Sequence, residues 1–163
     1  MSADLKIKSI RNKYAGRIRI ALQKTARQLA QNIVDLIKLR TRIEGEGTNG
    51  KLKPLSNGYV KSRNRYRDNL SPETSPGESN LTATGQMIDA LRGRAGAGKV
   101  TVDIKPTKRK SELSGGKSKL DNNQVRAFVE KDREFLKLSD DEKREVIELA
   151  RQIIEDELRD LSK

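Results

Sequence analysis

Lys61, Arg63, Arg65 and Arg67 occupy every second position of one stretch, with Tyr66 among them. In an extended arm all four charges would point the same way, because side chains alternate along a strand. Together with Lys108-Arg109-Lys110 they are the residues whose type and spacing suit a chemistry. That chemistry is the recognition of phosphates or of an acidic protein surface. The 61–67 stretch reads either as such a docking arm or as a solvated, flexible loop. Bond-making chemistry has far fewer candidates, since the chain contains no histidine and no cysteine. The usual general base near neutral pH and the commonest transition-metal ligand are therefore missing. Serine–histidine and cysteine–histidine hydrolases are excluded, as are disulfides and thiolate metal sites. A carboxylate pair or a Ser–Lys dyad remains open in principle, yet no spacing singles one out. The reading is of a protein that is not an enzyme, with no catalytic residue, cofactor or metal.

Two stretches imitate a phosphate-binding P-loop and fail. Gly93-Arg-Ala-Gly-Ala-Gly-Lys99 is followed by Val100, where the motif needs a magnesium-binding Ser or Thr. Its context is also inverted, with a helix pattern before it and a strand pattern after it. Gly115-Gly-Lys-Ser118 has the right ending but has Ser111 in place of the first glycine. Nucleic-acid binding has a stronger footing in the net charge of +12 and the isoelectric point near 10.0. Only five aromatic residues exist (Tyr14, Tyr59, Tyr66, Phe128, Phe135), too few for a base-stacking platform. What remains open is sequence-independent, salt-sensitive phosphate contact.

The elements that position these residues must be built from little apolar material. Of 163 residues, 33% are hydrophobic and 36% charged, so a single domain of this length has a thin core. Such a chain either carries disordered segments or completes its core against neighbouring subunits. Residues 1–70 hold 17 Lys and Arg against 5 Asp and Glu, whereas residues 121–163 hold 9 against 13. A basic front and an acidic end point to polyanions, to acidic protein surfaces, or to the next copy head-to-tail. No apolar run is long enough to span a bilayer and no leader pattern is evident, so the chain reads as soluble and made in the cytoplasm.

In chain order, residues 1–12 read as a frayed basic tail and residues 13–163 as one domain. A long helix is expected over 13–40, with Ile18, Leu22, Ala26, Leu29, Ile33, Leu36 and Ile37 on its inner face. Ala21, Thr25, Ala30 and Val34 widen that stripe. A polar arm over 41–80 follows, in which Leu52, Pro54, Leu55 and Tyr59 could pin one end to the core. Leu81–Leu91 is the organising segment: a short core helix capped by Thr82 or Thr84 and burying Met87, Ile88 and Leu91. Gly85 lies in its first turn and Arg92-Gly93 closes it. A turn over 94–98 leads to a half-buried strand over 99–104. A basic loop spans 105–120, and 123–130 alternates as a partner strand. Ser139 and Glu142 form a capping box for a last helix that buries Val146, Ile147, Ala150, Ile153, Ile154, Leu158 and Leu161, with Glu155 and Arg159 as a supporting pair.

Several of these stretches stand in a telling order: Arg40-Thr-Arg-Ile-Glu-Gly-Glu-Gly47, Asn49-Gly-Lys-Leu-Lys-Pro-Leu-Ser56, Asn80-Leu-Thr-Ala-Thr-Gly-Gln-Met-Ile-Asp-Ala-Leu91 and Arg133-Glu-Phe-Leu-Lys-Leu-Ser-Asp-Asp-Glu142. In that order and spacing the chain resembles the tail-completion and head–tail joining (neck) proteins of tailed bacteriophages, over about residues 12–160. Lys137 departs from the family pattern, which commonly has glycine there, and no aromatic or His-Gly stretch precedes the second strand. The resemblance implies an α+β fold, a small antiparallel sheet packed against a long N-terminal helix and a C-terminal helix, with long extended loops. It implies a structural virion protein forming a cyclic ring, sixfold or twelvefold, at the neck or tail end. Its partners would be other neck, portal or tail proteins, with non-specific contact to packaged DNA and neither a membrane nor a small-molecule substrate. The alternative is a basic, sequence-independent nucleic-acid-binding protein.

Overall fold

One helix carries the architecture, and everything else leans on its inner side. The computed structural model describes residues 3–96, 99–110 and 112–161, with side chains described from Ala15 to Asp160 within those ranges. Helix α1 (Ala3–Leu39) is followed by a π-helical turn (Arg40–Glu44) and a small hairpin, β1 (Glu46–Gly47) with β2 (Gly50–Lys51). Then come α2 (Asn57–Arg65), a 3₁₀ turn (Arg67–Asn69), the one-turn helix α3 (Gln86–Asp89), and the strands β3 (Leu91–Gly96) and β4 (Lys99–Ile104). Helices α4 (Asn122–Asp132) and α5 (Asp140–Leu161) complete the chain. The fold is α+β: two small antiparallel hairpins among helices, as expected. Among the described residues no helix is long and apolar enough to cross a membrane.

The core lies where α1, α3, β3 and β4 meet. Val34 and Ile37 pack with Met87, Ile88, Leu91, Ile104 and Phe135, and Val125, Val129 and Leu138 close the edges. The central segment thus buries Met87, Ile88 and Leu91 as its pattern predicts. Its cap differs: neither threonine caps α3, and Gly85 occupies the N-cap with a left-handed φ of 70°. That conformation is open to glycine and strained for other residues.

Gly93 has a different role from the one its position suggests. It is a strand residue, paired with Val102, and lies where β3 crosses α1. A Cβ there would fall 2.6 Å from the carbonyl carbon of Ala30. Helix and strand backbones are in contact, which only a glycine facing a small residue permits. The Leu91/Gly93/Ala95 alternation against Arg92 and Arg94 was the available signal. Arg92 and Arg94 both reach Asp103 across the hairpin, at 2.5 and 2.8 Å. The hydrogen bond from Arg92 holds the Asp103 carboxyl below the usual carboxylate range, with both arginine charges adding and burial opposing.

Several expected boundaries move. Helix α1 begins at Ala3, so most of the basic tail 1–12 is helical. Lysine and arginine are good helix formers, and no proline interrupts. Along α1 the deeply buried stripe is Ala21, Thr25, Ala30, Val34 and Ile37, while Ile18 and Leu22 are exposed. The small residues face inward because the hairpin packs close. The 41–80 arm is largely structured, and 123–130 is helix, not strand. Asp121 and Gln124 form a reciprocal capping box that overrides the alternation, and β3 supplies the partner of β4. Residues 94–96 of the expected 94–98 turn are strand, and Ala97 and Gly98 lie outside the described residues. Ser139 and Glu142 do cap the approach to α5 reciprocally, at 2.7 and 3.2 Å. On α5, Ile147 and Leu158 are exposed, Leu161's side chain lies outside the described set, and Arg159 pairs with Asp156 instead of Glu155.

Two outcomes follow for stability. Gly93→Ala should destabilise the protein by about 3 kcal/mol, the upper end of overpacking. Gly16→Ala, on α1 with nothing within 4 Å of an added Cβ, should stabilise it by about 0.5–1 kcal/mol. Denaturant titration of both variants reads the contrast. Asp103's contribution should be complete above about pH 4 and lost as the pH falls through its lowered pKa. Asp103→Asn should then show a smaller drop in melting temperature over that acid range than the parent.

Candidate functional site

Helix α2 decides the fate of the four alternating cations. Ser56 caps it, its Oγ accepting the Tyr59 N–H at 3.3 Å. Once helical, residues two apart face roughly opposite ways. The extended-arm expectation for Lys61, Arg63, Arg65 and Arg67 is therefore corrected. Lys61 and Arg65 share the exposed face, Arg67 is exposed in the 3₁₀ turn, and Arg63 points inward. Arg63 is only 2% exposed. Its guanidinium donates to the Glu78 carbonyl at 2.6 Å and to Thr74 Oγ1 at 2.8 Å. Thr74 in turn donates to Asn80 Oδ1, which also accepts the Thr82 N–H. Arg63 thereby fastens the proline-containing 72–80 loop. Burial draws its pKa below the ordinary guanidinium value, with Tyr59 and Glu78 opposing; an arginine remains charged even so.

The 105–120 loop divides its three cations in the same way. Lys108 and Lys110 are exposed, Lys108 bridging Asp121 through the backbone. Arg109 turns inward and donates to Thr84 Oγ1 at 3.1 Å. The loop is held by the Lys110 N–H on Gln86 Oε1 at 2.6 Å and by Asn122 Nδ2 on Thr107 Oγ1 at 3.0 Å.

Arg63 and Arg109, far apart in sequence, meet in one cleft of about 270 Å³ between α2, the 81–87 segment and α4. Arg133 joins them, a residue sequence reasoning placed only within the approach to α5. Leu81, Met87, Val125 and Val129 supply an apolar lining, and among the described residues no carboxylate lines the cleft. Arg63 Nε, Arg109 Nε and Thr82 Oγ1 are buried with no hydrogen-bond partner among the described residues. Leu81 beside them has a φ of 57°, a left-handed conformation rare for a bulky side chain and found where surroundings over-determine the backbone. The chemistry on offer is anion recognition inside a partly apolar cleft. Among the described residues, no three carboxylates gather as a metal site would require.

A second feature is apolar. Helices α1 and α5 lie side by side, yet no described residue of α5 is fully buried. Two grooves separate them: one of about 380 Å³ beside Leu22, Ala26, Leu29, Val100 and Ile154, and one of about 470 Å³ beside Leu36, Leu39, Val146 and Leu149. Ile18, Ile20 and Ile147 stand exposed on the same two helices.

Comparison with protein-family models, with curated proteins and with solved structures finds no match to this chain.

The division of the cations is directly measurable. Arg63→Gln should cost about 3 kcal/mol, because it leaves the Glu78 carbonyl and Thr74 without their charged donor. Arg65→Gln, exposed on the opposite face, should change stability by no more than about 0.5 kcal/mol. Equilibrium unfolding of the two variants decides between a structural and a surface role for each arginine.

Proposed function

We propose that the chain is a structural virion protein of a tailed phage. It forms a ring at the neck or tail end that completes the tail or joins head to tail. The observation that carries this reading is the incompletely covered α1–α5 layer. Apolar side chains on both helices flank open grooves, and apolar surface of this kind on a small chain marks a protein–protein contact. A ring built from head-to-tail contacts would cover it, since each copy then presents two different surfaces to its neighbours. The ordered motifs by which the sequence resembles the tail-completion and neck proteins supply the virion context.

The exposed cations Lys61, Arg65, Arg67, Lys108 and Lys110 are the contacts for an acidic neighbouring ring or for DNA passing through it. Arg63 and Arg109 leave that group because each is turned into the fold. The ring, sixfold or twelvefold, would be made in the host cytoplasm and reside in the virion. The competing reading, a sequence-independent nucleic-acid-binding protein, draws on the net charge of +12.

Native mass measurement of the purified chain, alone and with virion components, tests the first reading. A discrete closed oligomer is expected. The double variant Leu22→Glu/Ile147→Glu should reduce it to monomers with a melting temperature within a few degrees of the parent. Reversing the five exposed cations should leave the ring intact and abolish joining to its neighbours. A monomer whose DNA affinity falls steeply with salt would instead favour the competing reading.

A further inference from the structure

We propose that the arginine-lined cleft is a docking site for an acidic peptide segment of a partner protein, one that inserts a carboxylate flanked by apolar residues. Arg63, Arg109 and Arg133 line it, Arg133 also donating to the Lys53 and Pro54 carbonyls, and among the described residues no Asp or Glu does, so the charge it lacks is negative. Two of its polar side chains are almost wholly buried, Arg63 at 2% and Thr82 at 0% exposure. Arg63 Nε and Thr82 Oγ1 are nevertheless without hydrogen-bond partners among the described residues, and Arg109 Nε shares that condition. A buried donor left unpaired costs free energy that a bound carboxylate would recover. Charge-assisted bonds from arginine to carboxylate are among the stronger polar contacts available.

The form of the cleft selects the carrier of that carboxylate. Its lining of Leu81, Met87, Val125 and Val129 suits an aliphatic stem and apolar neighbours. Leu55, Tyr59 and Arg133 also line an adjoining depression of about 390 Å³, bordered by Lys53, Pro54, Ser56 and, as its one carboxylate among the described residues, the exposed Asp132. A ligand filling the cleft therefore has a path to continue along the surface, as a peptide strand would. A nucleic-acid phosphate fits poorly: it is flanked by sugars on both sides, and the cleft is lined by Leu81, Met87, Val125 and Val129 beside its donors. Tyr59, the only aromatic lining the cleft among the described residues, already has the Arg63 guanidinium 5.9 Å from its ring centroid. The site does not require the ring proposed above, and loss of the oligomer and loss of peptide binding would be separate results.

The test uses the full chain, with its methionine methyls isotopically labelled. Met87 is one of only two methionines, so its resonance reports the cleft directly. The probes are three blocked pentapeptides with a central glutamate flanked by leucine, valine or phenylalanine, their glutamine twins, a ten-residue oligothymidylate and inorganic phosphate. At least one glutamate peptide should shift the Met87 methyl saturably, and its glutamine twin should bind at least tenfold more weakly. Arg109→Gln should weaken the same peptide about tenfold. Thr82→Val should weaken it severalfold while leaving the melting temperature unchanged or higher, because the hydroxyl it removes has no hydrogen-bond partner among the described residues. A merely structural Thr82 would instead lower the melting temperature. The proposal is overturned if no glutamate peptide moves Met87, if the glutamine twin binds equally well, or if oligothymidylate or phosphate occupies the cleft as tightly.

Discussion

The interaction on which the fold most depends is the buried Arg40 clamp. At the end of α1 its guanidinium pairs with Glu142 and donates to the carbonyls of Phe135 and Lys137, at 2.6 and 2.9 Å. Glu142 also accepts the Ser139 N–H that caps the start of α5. One side chain therefore joins the π-helical turn that follows the first helix to the first turn of the last. Phe135, fully buried, is held at the centre of the core between them. Burying a charge is costly unless it is fully paired, and breaking such a pair leaves the partner stranded. The two terminal nitrogens of Arg40 are paired, while its Nε has no hydrogen-bond partner among the described residues; the paired groups make the arrangement specific as well as cohesive.

Close backbone approach is the second constraint, and it recurs. Gly93 lets β3 touch α1 at Ala30, and Gly47 lets the β1–β2 hairpin meet the 134–137 segment. There the Thr48 N–H donates to the Glu134 carbonyl at 2.8 Å and Thr48 Oγ1 donates to the Lys137 carbonyl at 3.0 Å. Small residues at these crossings replace the bulky core that the composition cannot supply. They also explain why the inner stripe of α1 runs through Ala21, Thr25, Ala30 and Val34 before Ile37, while Ile18, Ile20 and Leu22 lie nearer solvent.

The opposed charges of the two ends are partly satisfied within the chain. Lys24 reaches Glu157, Arg40 reaches Glu142, and Arg42 reaches both Asp89 and Glu73. The Arg40–Glu142 pair is buried, whereas the more exposed Lys24–Glu157 pair contributes little to stability; the two tie α5 to α1 and to the turn that follows it, and leave the apolar grooves between the helices. Charges available to a partner include those on the outer faces of α2 and the 105–120 loop. The inward-facing arginines are available only through the cleft.

Patterns set by neighbours in the chain were legible in the residues themselves. The long basic helix, the 99–104 strand, the Ser139/Glu142 cap, and the burial of Met87, Ile88 and Leu91 depend on local periodicity and short-range hydrogen bonds. So did the absence of histidine and cysteine, with the chemistries that excludes. The rest turned on contacts between residues distant in the chain. Arg63 reads like Lys61 and Arg65 until α2 turns it inward and the 72–80 loop supplies acceptors. Gly93 reads as a helix terminator until β4 pairs with its segment and α1 lies across it. The 123–130 alternation lost to a capping box because β4 already had its partner. The cleft itself needs Arg63, Arg109 and Arg133 from three elements. Periodicity records which face of an element is apolar, and tertiary packing alone decides what that face, and the charges opposite it, will meet.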